Sequence, residues 1–133
     1  MVVGVDAELD RSSFYDMNRT EYRIFSQWSG REISADEKRE MQDEVDEILR
    51  RRGLQTRLLV VERANSLALY FICMTLAALM SLRDQWCSRQ LRGTVEEIFT
   101  FLSRATGTVG VKRLTWPLAE YQRCLKFFSS VQG

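Results

Sequence analysis

The sequence predicts an all-α protein: about five helices around one long apolar helix that forms a single transmembrane span, with amphipathic helices on either side. Three observations predict it. The chain contains one proline, Pro117, so little interrupts helix formation. Its glycines fall where helices should stop. The stretch from Ala64 to Leu82 is 19 residues without a charge, close to the ~20 that cross a hydrocarbon core of about 30 Å.

The first ten residues carry Asp6, Glu8 and Asp10, which suits neither a basic secretory leader nor an acid-poor transit peptide. The first helix is expected from Ser13 to Ser29. Phe14, Met17, Glu21, Phe25 and Trp28 share one face, and Gly30 stands where a left-handed closing residue is wanted. A second helix begins at Ser34, whose capping box (Ser34-Ala35-Asp36-Glu37) can satisfy two orphan N–H groups. It runs to Arg52 and stops at Gly53. Its acids come early and Arg50, Arg51 and Arg52 come last, matching the helix dipole. Its apolar stripe of Met41, Val45, Ile48 and Leu49 is thin.

Thr56 to Gln90 reads as one long helix with a break near Asn65-Ser66. The run Arg57 to Glu62 would suit a short strand, but no second strand is evident to pair with it. A further capping box, Thr94-Val95-Glu96-Glu97, opens a helix with Val95, Ile98, Phe99 and Leu102 on one side and Gly107 at its end. Glu96 and Glu97 are then first-turn carboxylates with a structural role. After a loop through Gly110, the last helix starts at Thr115 with Pro117 in its first turn. Leu118, Tyr121, Leu125 and Phe128 form its apolar face. The chain divides into 1–53, amphipathic helices; 54–92, the long central helix with its apolar span 64–82; and 93–133, a C-terminal helical pair.

Within the span, Tyr70, Cys73, Ala77 and Ser81 form a stripe of small and polar residues on which a partner helix can dock closely. Leu69, Ile72, Leu76 and Leu79 make the opposite, lipid-facing side. Trp86 lies just beyond the span, at interfacial depth. Trp28, Trp86 and Trp116 are the expected interface anchors. Five arginines precede the span (Arg50, Arg51, Arg52, Arg57, Arg63) and three follow (Arg83, Arg89, Arg92), which favours an N-terminal side facing the cytoplasm or matrix.

The chemistry available is narrow. The chain has no histidine, so the common neutral-pH base and the commonest metal ligand are missing. Its three cysteines, Cys73, Cys87 and Cys124, form no C-x-x-C pair, which indicates neither a zinc site nor a redox motif. No catalytic, cofactor-binding or metal-ligating residue is expected. A net charge of +1, with arginine supplying 16 of 19 basic residues, gives no overall field for nucleic acid, and no small-molecule substrate is indicated.

The expectation is a non-catalytic, single-pass accessory (supernumerary) subunit of a larger membrane complex, its partners being other protein subunits and membrane lipid. By analogy with the small one-span subunits of organellar energy-converting assemblies, it is placed in the mitochondrial inner membrane, in a respiratory or ATP-synthase assembly. The alternative is a soluble helical-bundle adaptor or regulator that binds a partner helix in a groove, of the Bcl-2-like or viral adaptor type.

Overall fold

The computed structural model describes residues 1–10, 14–29, 34–63, 66–104 and 109–132, and it is mixed α/β, not all-α. In chain order the elements are β1 (Val2–Leu9), α1 (Phe14–Ser29), α2 (Ala35–Arg51), β2 (Thr56–Arg63), β3 (Leu67–Cys73), α3 (Leu76–Cys87), α4 (Gln90–Ser103), β4 (Val111–Thr115) and α5 (Leu118–Gln132). The four strands form one antiparallel sheet in the order β2-β3-β1-β4. Each of the three sequence segments, 1–53, 54–92 and 93–133, therefore contributes to the same sheet.

The uncharged stretch from Ala64 to Leu82 is not one helix. It contains strand β3, the link Met74-Thr75 and the first half of α3. Thr75 supplies the break: its backbone is extended, and its hydroxyl accepts the Ala78 N–H at 3.1 Å, capping α3. α3 has 12 residues, a length of about 18 Å, and no helix among the described residues is long and apolar enough to cross a membrane. The transmembrane span is overturned. With it goes the single-pass membrane localisation and the ground for the mitochondrial inner membrane.

The absence of charge has another cause. β3 is an interior strand with neighbours on both sides. Leu67, Leu69, Phe71 and Cys73 are fully buried, while Ala68, Tyr70 and Ile72 on the other face are half-buried. The partner that the Arg57–Glu62 run appeared to lack is β3 itself, in a β2–β3 hairpin with Val61 opposite Leu69. β1 supplies the next strand. Its residues alternate cleanly, Val3, Val5, Ala7 and Leu9 entering the core while Asp6 stays exposed on the outer face.

Both free edges of the sheet are blunted by bulges. In β2 the register jumps between Leu58 and Val60, and the bulged Leu59 carbonyl accepts the Trp28 indole N–H at 3.1 Å. In β4, Glu8 pairs with Arg113 and Leu9 with Val111, leaving Lys112 unmatched. The Val111 N–H is taken by the Glu96 carboxylate at 2.8 Å. Bulges, charges and side-chain caps of this kind discourage edge-to-edge pairing.

The core lies between the inner sheet face and the helices. α2 contributes Met41, Val45, Ile48 and Leu49, and α4 contributes Leu91, Val95, Ile98, Phe99 and Leu102. The thin stripe of α2 thus suffices because the helix covers a sheet, with its exposed face in solvent. The Ser34 cap forms as expected, its hydroxyl accepting the Glu37 N–H at 3.2 Å. Thr94 does not cap a helix: α4 opens four residues earlier, at Gln90, and the buried Thr94 hydroxyl donates back to the Gln90 carbonyl at 3.4 Å. Glu96 and Glu97 are consequently mid-helix, and Glu97 holds Arg51 at 3.3 Å and Arg52 at 2.7 Å. Thr115 ends β4, and α5 begins after Pro117. Gly30, Asn65 and Gly107 lie outside the described residues.

One buried carboxylate gives a pH-dependent expectation. Glu21 on α1 is 7% exposed, with the Arg63 guanidinium 3.9 Å away on β2. Burial pushes its carboxyl above the ordinary range, against the opposing pull of Arg63. Ionisation is therefore less favourable in the folded chain than in the unfolded one. The stability contributed by the neutral form is complete below the unfolded value, about 4.3, and is lost as pH rises through the folded one. Glu21→Gln is expected to raise Tm at pH 7, with the gap to wild type closing as pH approaches 4. Paired thermal melts check this, and a lower Tm at pH 7 would show that the Arg63 contact outweighs burial.

Candidate functional site

The structure separates the residues expected to form a partner-helix stripe. Tyr70 and Cys73 lie on opposite faces of β3. The Tyr70 hydroxyl donates to Glu62 at 3.2 Å on the outer face, whereas Cys73 is buried in the core. Ala77, exposed, and Ser81, whose hydroxyl donates to the Gly53 carbonyl at 3.5 Å, sit on α3. A spacing of four places residues on one face only within a single helix, so the stripe dissolves once the segment becomes strand, link and helix. The expected lipid-facing set divides in the same way: Leu69 and Leu79 are core, Leu76 is half-buried, and Ile72 belongs to the outer sheet face. Of the three tryptophans, Trp28 and Trp116 are buried and Trp86 is half-buried.

What the fold brings together is a set of cations that the sequence keeps apart. A concavity of about 400 Å³ opens between the α3–α4 joint and β4, lined by Trp86, Cys87, Arg89, Arg92, Lys112, Arg113 and Leu114. No acidic side chain among the described residues lines it. Lys112 has Glu8 at 3.8 Å, while Arg89, Arg92 and Arg113 have no carboxylate partner among the described residues. α4, which starts at the groove, has no acid in its first turn and no side-chain cap, so its dipole adds to the positive field.

Two backbone irregularities shape this groove. α3 and α4 are joined by only Ser88 and Arg89, and Arg89 turns the chain with φ 69°. At the end of α2 the same left-handed conformation, φ 80°, is taken by Gly53, where it needs no Cβ accommodation. An arginine there costs about 1–2 kcal/mol. The second irregularity is the β4 bulge: Arg113 pairs with Glu8 and Lys112 is left unmatched, and both consecutive residues line the groove.

The wall is rigid. Trp86 is held by the Arg83 guanidinium, 4.4 Å from its ring centroid. The same guanidinium lies 5.0 Å from Trp116 and 4.7 Å from Tyr121. Trp86 meets Trp116 edge-on at 6.4 Å, and Trp116 meets Tyr121 edge-on at 5.6 Å. A guanidinium among three rings is worth roughly 0.5–2 kcal/mol per ring contact, and it fixes the indole that faces the groove.

The cysteines sort by position. Cys87 is exposed at the groove, whereas Cys73 and Cys124 are buried. Burial pushes the Cys73 thiol up to about 11, and the neighbouring Cys124 pushes the same way. Burial likewise raises Cys124. Iodoacetamide at pH 8 is expected to modify one thiol, Cys87, quickly, and the other two only as the fold opens. Intact-mass measurement over time checks this, and rapid double or triple labelling would contradict the burial of Cys73 and Cys124.

A larger concavity of about 670 Å³ lies at the other end of α4, with Glu37, Glu40, Glu44, Met41 and Phe101 on its walls. Of its acids, Glu37 stands in the first turn of α2, where it complements the helix dipole, and Glu40 and Glu44 lie further along the exposed face. No group of three or more potential metal ligands occurs among the described residues. In the sequence Arg89 and Arg92 read only as charges flanking the apolar stretch, and Lys112 and Arg113 carry no signal that joins them to the pair. The one local signal was Arg-x-x-Arg beside a tryptophan. Compared with protein-family models, with curated proteins and with solved structures, the chain finds no match in any of the three.

Proposed function

We propose that the protein is a non-catalytic interaction module, an adaptor or a subunit of a protein complex, that docks a negatively charged segment of a partner protein in the groove between Arg89, Arg92, Lys112 and Arg113. The observation that carries this reading is the convergence of a left-handed arginine, a strand bulge and four cations on one concavity that no acid among the described residues lines. Backbone irregularities of this kind accumulate where a side chain must be aimed. The non-catalytic character rests on the chemistry at hand: the chain has no histidine, and two of its three thiols are buried and hard to ionise.

A local anionic epitope fits better than a nucleic-acid backbone. The net charge is only +1, and Glu8 stands 3.8 Å from the groove's Lys112, which interrupts any longer basic stripe of the kind a polynucleotide needs.

The test uses Cys87 as a reporter. Its alkylation rate is expected to fall at least fivefold when N-acetyl-hexaglutamate occupies the groove, with protection fading as salt rises. The double variant Arg92→Glu, Arg113→Glu, folded by circular dichroism, should label at the same rate with and without peptide. Protection that survives the double variant, or no protection at low salt, would count against the groove.

A further inference from the structure

We infer that the group the groove is shaped for is a phosphorylated side chain of a partner protein, its phosphoryl oxygens held by Arg89, Arg92 and Arg113. This rests on the reading of the groove as the docking site and goes on to name what it takes. A carboxylate has two oxygens and one charge, which a single guanidinium satisfies through two parallel bonds. Three guanidiniums without carboxylate partners among the described residues, around about 400 Å³, would be left in excess by one carboxylate. A phosphoryl group carries about −1.5 to −2 at neutral pH and three acceptor oxygens, which matches three forks. The cations are mostly arginine, whose planar donors suit this geometry better than lysine.

Size and wall composition support a modified side chain rather than free phosphate. The concavity, about 400 Å³, falls within the range of small-ligand sites, roughly 300–1,000 Å³, and leaves room beside a phosphoryl group for the side chain that bears it. Trp86 and Leu114 provide apolar surface beside the cations. The Trp86 ring is held in place by Arg83, so it offers a preorganised flat wall for the stem or ring that bears the phosphoryl. Lys112, shared with Glu8 at 3.8 Å, also lines the concavity.

The experiment titrates the whole chain, followed by intrinsic tryptophan fluorescence and calorimetry, with phenyl phosphate, benzoate, inorganic phosphate, N-acetyl-hexaglutamate and a short oligothymidylate. Phenyl phosphate is expected to bind at least about tenfold more tightly than benzoate or inorganic phosphate. Arg92→Ala and Arg113→Ala should each weaken it by about tenfold or more, and Arg92→Lys should restore only part of the loss, since it returns charge without the fork. If hexaglutamate or benzoate binds as well as phenyl phosphate, the phosphoryl assignment falls while the docking groove stands. If no anion binds, both fall. Equal affinity for inorganic phosphate would assign the site to the free ion, and tighter, length-dependent binding of oligothymidylate would assign it to nucleic acid. Either result overturns the inference.

Discussion

Phe71→Ala is expected to cost about 3–5 kcal/mol of folding free energy, whereas Ile72→Ala, one residue away, should cost about 1. Phe71 is among the largest fully buried side chains, on the inner face of β3 between β1 and β2. Truncation would remove its apolar burial and leave a cavity that neighbours such as Leu58 and Val3 cannot fill without shifting the sheet. Ile72 points to the outer face and is only half-buried. Against a total stability of about 5–15 kcal/mol, the first loss would lower the urea midpoint drastically and the second modestly. The contrast tests the strand itself. Period-two alternation makes adjacent residues unlike, so equal effects at 71 and 72 would mean that the segment is not paired as a strand.

Arg89→Gly is expected to make the protein more stable and its groove weaker. Glycine adopts the φ of 69° without the steric penalty that arginine bears. Part of that relief is offset by the greater freedom of glycine in the unfolded chain, about 0.4–1 kcal/mol. The net gain is about 0.5–1 kcal/mol, a rise in Tm of roughly 2–5 °C. The same substitution removes one charge-assisted donor, a loss of about 1.5–3 kcal/mol in binding, or about 10- to 100-fold in affinity for phenyl phosphate or an acidic peptide. A gain in stability paired with a loss of binding is the pattern of a residue kept for its side chain at the expense of its backbone. If Arg89→Gly binds as wild type does, the left-handed arginine is only a turn.

How far these features were legible in the sequence depended on whether their signal was local. The Ser34 cap and the α2 dipole pattern use residues within one turn and were readable directly. The β1 alternation of Val3, Val5, Ala7 and Leu9 was also there to read, but a strand needs a partner, and the partner was concealed. β3 lacks alternation in polarity because Ala68, Tyr70 and Ile72 on its outer face are uncharged as well. Followed by the equally uncharged start of α3, it made a run of membrane-spanning length from two unrelated elements. Thr75, whose hydroxyl caps α3, was the local sign of the break. The groove was not readable. Arg92 and Lys112 are twenty residues apart and meet only because the edge strand β4 passes the α3–α4 joint. Neither the β4 bulge nor the positive φ of Arg89 has a residue-type signature, since glycine is the usual mark of such a turn and is absent there.

The central claim, that the cations around the α3–α4 joint and β4 form one anion-docking site, is tested most directly by mapping amide and indole chemical shifts while N-acetyl-hexaglutamate is added to the ¹⁵N-labelled protein. The expected result is a single saturable set of perturbations at the Trp86 indole, Cys87, Arg89, Arg92, Lys112 and Arg113, with the Arg50–Arg52 region unmoved because its guanidiniums are already paired with Glu47 and Glu97. Perturbations spread over all exposed arginines, or centred on Arg50–Arg52, would contradict it.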